Sequence, residues 1–194
     1  MVMVELAPGI VLFSNVIPEY LSLPQDIEDG MLSAQRVWAA AAIQSGTDKY
    51  IRDTDSLSIP YIEGIDENFN SFYEGFNKTL ANTFYSHIKP LEGMYMSEYG
   101  IFFSDHDNYQ ILKYGPGQHF VNHIDDSPMF PRRVSIIYYF NDDYEGGEIS
   151  FPRFNISYKP KANEMLIFPS GYTYNHSVSP VTAGNRYSMV SWIK

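Results

Sequence analysis

From Met94 onward, along the C-terminal half of the chain, short runs rich in β-branched and aromatic residues recur, and this pattern is typical of β-strands. Glycine, proline, asparagine and aspartate separate the runs, and these residues favour turns. The predicted strands are 95–103, 109–114, 120–125, 134–140, 148–151, 156–158, 164–168, 176–181 and 186–193. Many short strands at such spacing indicate a β-sandwich or barrel.

The N-terminal half begins with one predicted strand, 10–18, and one predicted helix. The helix starts at Pro24, and the alanine run 39–42 favours its extension to Ala41. Its apolar stripe, at steps of three and four residues, consists of Ile27, Met31, Ala34, Trp38 and Ala41.

A second helix is predicted further along, with Asp66 as its cap and with its end before Pro90. Its aromatic stripe consists of Phe69, Phe72, Tyr73, Phe76, Leu80 and Phe84. We expect both helices to pack against the sheet and support it.

Residues 45–64, between the two helices, are polar and irregular. A connection of this length and composition predicts a loop. Two interpretations of the loop stay open, a surface loop and a lid that closes over an active site.

The length of 194 residues and a hydrophobic content of 44% predict a single domain, 1–194. Within it, 1–93 would supply the first strand, the supporting helices and the loop, and 94–194 the β-rich core. The N-terminus lacks the pattern of a secretory signal, and no run approaches the roughly 18 apolar residues of a membrane span. We therefore expect a soluble, cytoplasmic protein with no membrane partner.

Charge and cysteine content exclude several classes of function. The net charge is −10 and the 13 basic residues form no run, whereas a nucleic-acid-binding protein carries a basic surface that neutralises phosphates. We therefore expect no nucleic-acid partner. The absence of cysteine excludes disulfides, iron–sulfur clusters and thiolate ligands, so a metal would be bound by His, Asp or Glu.

His123 and Asp125 form half of a candidate metal site, because residues two apart on a strand project from the same face. His176 is the best candidate for the third ligand. Two histidines and one carboxylate on one side of a metal are the ligand set of non-haem iron(II) oxygenases.

The other three histidines are weaker candidates. His87 is placed near the end of the second helix, where a cation favours the helix dipole. His106 lies in a polar stretch that predicts a solvated turn. His119 is four residues before His123, and this even offset could bring it to the same face of the strand.

Arg186 opens the last predicted strand, where Ser188 and Val190 share its face. A guanidinium that points into a barrel needs an anion, because an unpaired buried charge is costly. A dicarboxylic cosubstrate would supply this anion, and an ordinary Asp or Glu partner is the alternative.

From about Tyr109 to the C-terminus the chain resembles the catalytic domain of the prolyl 4-hydroxylases, which are iron(II)- and 2-oxoglutarate-dependent dioxygenases. Each matching segment is common by itself, but their conjunction in the family's order is specific. The segments are Tyr114-Gly-Pro-Gly, His123-x-Asp125, Arg133-Val-Ser-Ile-Ile-Tyr-Tyr-Phe-Asn141, Glu145-Gly-Gly-Glu148, Phe151-Pro152, Pro160-Lys161, Phe168-Pro169, His176, Pro180-Val181, Gly184-x-Arg186 and Trp192.

The resemblance implies a mainly β fold, a double-stranded β-helix (jelly roll) supported by two or more helices, with the site in its mouth. It implies that His123, Asp125 and His176 are the catalytic iron ligands. It also implies that Arg186, Tyr139, Tyr114 and Ser188 bind 2-oxoglutarate and that Trp192 and Arg132 contact the substrate. We expect the Gly146-Gly147 pair to allow a tight turn and a close backbone approach.

The implied activity uses Fe(II), 2-oxoglutarate and O2 to hydroxylate a substrate C–H bond, with release of succinate and CO2. The resemblance also implies a dependence on ascorbate. The implied substrate position is C4 of a prolyl residue in a peptide or protein, and the acidic surface favours a basic or neutral peptide. The lack of cysteines and of a signal separates the chain from secretory-pathway collagen hydroxylases.

Two alternatives stay open at this point. The same chemistry could act on a non-prolyl or small-molecule substrate, because substrate-selecting side chains lie in variable loops. A jelly roll with the same ligands could also be a non-catalytic, cupin-like metal-binding module. The sequence does not indicate an oligomeric state.

Overall fold

The computed structural model describes residues 2–18, 23–33, 37–43, 46–59, 76–102 and 105–194. In these parts of the chain the helices are α1 (Leu23–Ser33) and α2 (Phe76–Tyr99). The strands are β1 (Val2–Ala7), β2 (Ile10–Ser14), β3 (Ala39–Ala40), β4 (Arg52–Asp53), β5 (Asp55–Ile59), β6 (Tyr109–Tyr114), β7 (His119–His123), β8 (Val134–Tyr139), β9 (Glu145–Gly146), β10 (Ile149–Phe151), β11 (Ile156–Tyr158), β12 (Glu164–Pro169), β13 (His176–Val178), β14 (Val181–Ala183) and β15 (Arg186–Ile193). Among the described helices, none is long and apolar enough to cross a membrane.

In the described part of the chain, β9 and β14 form a two-stranded sheet, and two main sheets carry the fold. The larger has eight strands in the order β1-β2-β12-β8-β15-β6-β5-β3, and the smaller has the order β11-β10-β13-β7-β4. Neighbouring strands pair antiparallel in both sheets. This is the mainly β, jelly-roll architecture that the sequence predicts.

Alternation along the central strands divides the apolar side chains into two clusters. On β8, Ile136 and Tyr138 are buried in the cluster that contains Phe84 of α2. Ile137 and Tyr139, one residue out of phase, are buried in a second cluster that joins both sheets. Side chains on this second face therefore point into the space between the sheets, where a site can form.

Most predicted strands are confirmed. The predictions 109–114, 156–158 and 186–193 match β6, β11 and β15 from end to end. The prediction 120–125 is too long, because β7 ends at His123 and Asp125 follows it. The prediction 176–181 covers two strands, β13 and the start of β14. Strand β1 was not predicted.

The predicted extension of the first helix to Ala41 is wrong. Helix α1 ends at Ser33, and Ala39–Ala40 form β3, which pairs with β5. The helix propensity of alanine is a weak local preference that tertiary pairing overrides. Ala34 lies outside the described residues.

The second helix extends further than predicted. Helix α2 continues through Pro90 to Tyr99, so the predicted strand 95–103 is wrong over its helical part. The continued helix buries Leu91 and Tyr95, and this burial offsets the backbone hydrogen bond that proline removes.

The start of the second helix is only partly described. The predicted cap Asp66 and the stripe residues Phe69, Phe72 and Tyr73 lie outside the described residues. Leu80 and Phe84 are buried against the sheet, as predicted.

The predicted loop 45–64 is wrong where the structure describes it. It contains β4, which pairs with β7, and β5, which pairs with β6. Polar side chains at most of these positions hide the strands from a pattern-based prediction. The lid interpretation rests partly on 60–64, which lie outside the described residues.

Candidate metal and anion site

The two histidines of the candidate metal site are neighbours across two strands. Strand β13 pairs with β7 so that His176 lies opposite His123, and the ring centroids are 4.3 Å apart. Asp125 places Oδ1 3.5 Å from His123 Nε2 and Oδ2 3.7 Å from His176 Nε2. The ligand atoms of the three residues all lie within 4.8 Å of one another. The fold thus brings together the three predicted residues in an arrangement that could hold a metal ion.

Backbone carbonyls orient both imidazole rings. His123 Nδ1 lies 2.8 Å from the carbonyl oxygen of Val121, and His176 Nδ1 lies 3.1 Å from that of Tyr174. Because a carbonyl can only accept, each Nδ1–H donates, and Nε2 keeps the lone pair that a metal needs. Burial, and then repulsion from His123, lower the pKa of His176 to about 4, so its ring is neutral at pH 7.

The carboxylate of Asp125 is held from the opposite side by β8. Ser135 donates its Oγ–H to Asp125 Oδ2 at 2.6 Å, and Ser135 Oγ lies 2.7 Å from Ser170 Oγ. Burial opposes ionisation of Asp125, but the imidazoles of His176 and His123 beside it and the hydrogen bond from Ser135 hold the pKa of that carboxyl below its ordinary value. Asp125 is therefore an ionised candidate ligand over the whole neutral range.

Arg186 forms a second centre between the sheets. Its side chain is 1% exposed, and its Nη1 donates to Ser188 Oγ at 3.1 Å. The guanidinium carbon lies 4.9 Å from the ring centroid of Tyr114 and 5.1 Å from that of Tyr139. Burial raises the pKa of the Tyr139 phenol, so its hydroxyl stays a donor.

These donors fit an anionic ligand. Within the described residues, no carboxylate lies at ion-pair distance from Arg186. In the same part of the chain, Arg186 Nε and the Tyr139 hydroxyl are buried without a hydrogen-bond partner. An Asp or Glu partner, the alternative weighed from the sequence, is thus not what the described structure supplies. A bound carboxylate would satisfy the guanidinium and the phenol together.

One cavity connects both centres. Its lining consists of Arg52, Leu112, Tyr114, Phe120, His123, Asp125, Ile137, His176, Val178, Arg186, Ser188, Val190 and Trp192. Arg132 lies beside it, with its guanidinium carbon 3.5 Å from the ring centroid of Trp192 and its Nε 3.0 Å from Asp107 Oδ2. The predicted site residues are therefore gathered in and around this cavity.

The remaining histidines lie elsewhere. His119 contacts the carbonyl oxygens of Gly117 and Tyr50 and is not part of the three-residue cluster. His87 does not lie near a helix end, since α2 continues to Tyr99. The prediction of a solvated turn at His106 is wrong, because its side chain is fully buried.

His106 is buried because α2 reaches it. Its Nε2 lies 2.8 Å from Lys89 Nζ and 3.4 Å from Glu92 Oε2. A polar local sequence predicts exposure, but the buried helix extension covers this position.

Sequence reasoning missed Arg52 and Phe120, which line the cavity, and Ser135, which donates to Asp125. Arg52 falls in the predicted loop, where no pattern could place it. Ser135 shares a strand face with Tyr139, so its orientation was predictable although its contact with Asp125 was not. The ring of Phe120 stacks on that of His123, with centroids 3.5 Å apart and 13° between the planes.

The fold and the site together define a class: a jelly roll with two histidines and one aspartate clustered in a cavity that also holds a buried arginine. Comparison with known proteins gives what the chain is similar to. Residues 109–194 match the family model of the 2OG-Fe(II) oxygenase superfamily. This segment is less than half of the chain, and over it the chain is similar to prolyl 4-hydroxylase-like 2-oxoglutarate oxygenases, whose cofactor and cosubstrates are Fe(II), 2-oxoglutarate and O2.

Curated relatives match over part of their length. A PKHD-type hydroxylase of Prochlorococcus marinus (strain NATL2A) is 40% identical over 84 residues, which are 40% of this chain and 37% of the relative. Prolyl 3-hydroxylase 2 of Homo sapiens is 39% identical over 66 residues, which are 31% of this chain and 9% of that protein. The match thus spans well under half of the length of either relative.

Solved structures share the fold over nearly the whole chain. A Pseudomonas putida prolyl-4-hydroxylase has a TM-score of 0.72 at 19% identity, with 96% of this chain and 92% of that chain covered. A prolyl hydroxylase from Trichoplax adhaerens, solved with a peptide fragment of hypoxia inducible factor, also has a TM-score of 0.72, at 18% identity, with 95% and 83% covered.

Proposed function

We propose that the protein is an iron(II)- and 2-oxoglutarate-dependent dioxygenase that hydroxylates C4 of a prolyl residue in a peptide or protein. The observation that carries this proposal is that one cavity holds both the His123, Asp125 and His176 cluster and the buried Arg186. A site that only bound a metal would have no use for such a guanidinium, whereas a metal-bound keto diacid needs both groups.

The proposed iron ligands are His123, Asp125 and His176. When bound, iron(II) and 2-oxoglutarate supply the oxidising chemistry, in which dioxygen provides the hydroxyl oxygen and 2-oxoglutarate becomes succinate and CO2. The chain keeps the ligands oriented and the site dry. The rings of Phe151 and Phe168 lie 5.7 and 4.9 Å from the ring of His176 and shield it from water.

Arg186 is the proposed partner of the distal carboxylate of 2-oxoglutarate. Its planar fork suits bidentate recognition. The Tyr139 hydroxyl would donate to the same carboxylate, Ser188 would hold the guanidinium in place, and Tyr114 would line the pocket. Among the described residues, Arg186 Nε and the Tyr139 hydroxyl have no hydrogen-bond partner, and this supports the assignment.

Trp192 and Arg132 are the proposed substrate contacts. The stacked indole and guanidinium make a flat surface, fixed by Asp107, against which a pyrrolidine ring could pack. A prolyl peptide is supported by the prolyl hydroxylases among the relatives and solved structures. Their names include 3- and 4-hydroxylases, so the test must distinguish the two positions.

The same chemistry on another substrate is the second candidate. The observation behind it is that one of the most similar relatives is described as a PKHD-type hydroxylase, a name that does not specify proline. Purified protein that leaves prolyl peptides unchanged but oxidises a small molecule would favour this candidate.

The test is succinate formation from 2-oxoglutarate with added iron(II) and proline-containing peptides, for wild type, His123→Ala and His87→Ala. We expect wild type and the control His87→Ala, which changes a histidine on α2 away from the cavity, to form succinate and the first variant to form none. Peptides should gain one oxygen, and hydrolysis should release 4-hydroxyproline rather than 3-hydroxyproline. Omission of ascorbate tests the predicted dependence on it.

Two results would contradict the proposal. Equal succinate formation by wild type and His123→Ala would show that the assigned set of iron ligands is wrong. No binding of 2-oxoglutarate by iron-loaded wild type would favour the cupin-like metal-binding module. Binding that is lost in Arg186→Gln would support the enzyme.

A further inference from the structure

A second buried arginine lines the cavity from its other side. Arg52 lies on β4 and is 8% exposed. One amino group of its guanidinium, Nη1, donates to the carbonyl oxygen of Ala42 at 3.0 Å. Arg52 precedes the segment 109–194 that matches the oxygenase family model, so the match assigns it no role.

The register of the smaller sheet places Arg52 beside the candidate metal ligands. Arg52 lies opposite Phe120 on β7, and its guanidinium carbon is 5.0 Å from the Phe120 ring centroid. The other neighbour of that ring is His123, stacked at 3.5 Å. Guanidinium, phenyl ring and imidazole therefore follow one another along one wall of the cavity.

The described chain gives Arg52 no counter-ion. No carboxylate lies at ion-pair distance from it among these residues, and its Nε is buried there without a hydrogen-bond partner. Its neighbour Asp53 instead lies 3.4 Å from Lys49 Nζ. Arg132, by contrast, has Asp107 at 3.0 Å. A guanidinium buried without an anion is costly, which points to an anion that arrives with a ligand.

The charges of the cavity indicate where this anion comes from. The charged lining residues Arg52, Arg186 and Asp125 leave one net positive charge. On the proposed function, on which this step rests, iron(II) adds two positive charges and 2-oxoglutarate two negative ones. One positive charge stays uncompensated, and a single further carboxylate would neutralise it.

We propose that Arg52 binds a carboxylate next to the cluster of His123, Asp125 and His176. The substrate carries this carboxylate close to the carbon that is oxidised. The substrate class becomes a peptide that ends in a proline with a free carboxyl group, or a prolyl peptide with an acidic group adjoining the target ring. The metal-proximal carboxylate of 2-oxoglutarate is the other source of the same chemistry, and the experiment separates the two.

The experiment is a calorimetric titration of manganese(II)-loaded protein, which needs no turnover. One arm titrates 2-oxoglutarate. The other titrates N-acetylproline and its uncharged amide, N-acetylprolinamide, into protein saturated with 2-oxoglutarate. The proteins are wild type, Arg52→Gln, Arg52→Lys and Arg153→Gln, the last an exposed arginine that controls for the loss of one charge.

Wild type and Arg153→Gln should bind the acid about tenfold to a hundredfold more tightly than the amide, the range of a hydrogen bond to a charged group. Arg52→Gln should bind the two equally and keep its affinity for 2-oxoglutarate within about twofold. Arg52→Lys should keep part of the preference, because it retains the charge without the planar fork. The Arg52→Lys variant also shows whether a lost preference in Arg52→Gln comes from a loss of the fold.

Three results would overturn this assignment. Wild type that binds the acid no better than the amide, or binds neither, excludes a substrate carboxylate. If Arg52→Gln loses affinity for 2-oxoglutarate but keeps its preference for the acid, Arg52 binds a carboxylate of 2-oxoglutarate and not one of the substrate. No change in either arm makes Arg52 a structural support of β4. Wild type that binds no 2-oxoglutarate contradicts the proposed function instead. The acid and the amide are then titrated into manganese(II)-loaded protein without 2-oxoglutarate, and their comparison still tests Arg52.

Discussion

A single hydroxyl fixes the carboxylate of the candidate metal site. Ser135 donates to Asp125 at 2.6 Å from a buried position on β8. Removing this donor frees the carboxylate to rotate and raises its pKa, and both effects weaken metal binding. We expect Ser135→Ala to lower manganese(II) affinity about tenfold, measured by calorimetry at pH 7.

The matched control for that change is Ser150→Ala. Ser150 Oγ donates to Ser157 Oγ at 3.2 Å, at an exposed position of the smaller sheet. This variant should keep wild-type metal affinity. Equal affinities for Ser135→Ala and wild type would show that the ligands alone orient Asp125.

Gly146 permits a contact between two backbones that no other residue allows. Its φ is +71°, and a Cβ there would lie 2.2 Å from the carbonyl oxygen of Pro180. This confirms the predicted close approach at Gly146. We expect Gly146→Ala to lower the free energy of unfolding in urea by about 1–3 kcal/mol or more.

Gly171 provides the control for the glycine prediction. It has an ordinary φ of −75° and open space around its missing Cβ. Gly171→Ala should therefore change the free energy of unfolding by about 0.5 kcal/mol or less. Comparable losses in both variants would mean that the contact with Pro180 is not what limits Gly146.

Site residues that belong to a local sequence motif were predictable. Residues that reach the cavity only through the pairing of distant strands were not. His123 and Asp125 were paired on the expectation of one continuous strand, and they do lie together although β7 ends at His123. Arg186 was placed by its position on a strand face. Arg52 reaches the cavity only because β4 pairs with β7, a pairing of strands far apart in sequence. No local pattern encodes such a contact.

At the scale of elements, strands were predicted better than helix ends. The central strands are recognisable as runs of β-branched and aromatic residues because they bury both faces, each against a different cluster. Helix ends were decided by tertiary contacts instead. Pro90 predicts a stop, but Tyr95 beyond it is buried and donates its hydroxyl to the carbonyl oxygen of Gly9 at 3.0 Å. Alanine predicts helix at Ala39–Ala40, where strand pairing is observed.

The extended part of α2 contains a buried carboxyl that makes stability depend on pH. Burial raises the pKa of Glu92 to about 7, although Lys89 Nζ lies 3.3 Å from its Oε2. Between pH 4.5 and about 7 the folded chain keeps a proton that the unfolded chain releases, so this residue makes the protein less stable as pH rises.

We expect Glu92→Gln, which cannot ionise, to gain stability relative to wild type by about 2–3 kcal/mol between pH 5 and pH 8. Urea unfolding at both pH values measures the difference. The control is Glu98→Gln, an exposed residue of the same helix. A difference in the free energy of unfolding between Glu92→Gln and wild type that does not change with pH would show that the pKa of Glu92 is not raised in the folded chain.

At the scale of the molecule, residues before the matched segment complete both sheets. Strand β2 extends the larger sheet beside β12, β5 extends it beside β6, and β4 extends the smaller sheet beside β7. Helix α2 covers the face opposite the cavity. The jelly roll of 109–194 was predictable from its motifs, but these pairings were not, because they join distant and partly polar segments.

The distribution of charge differs between the surface and the cavity. The chain carries a net charge of −10, while the cavity lining carries one net positive charge. The surface field acts over roughly 8 Å at physiological salt and is screened further as salt rises, whereas a buried contact is screened much less. Remote basic residues of a peptide and a carboxylate beside its proline should therefore be recognised separately.

Two peptides with the same acidic group beside the proline, one with lysine and one with glutamate several residues away, test this separation. We expect the lysine peptide to have the lower KM at low salt, and the ratio of the two KM values to approach one near 1 M salt, where the screening length is about 3 Å. Their kcat values should agree, because the remote charges do not touch the reacting groups. A KM ratio that salt leaves unchanged would indicate a direct contact with the remote residues rather than the field of the acidic surface.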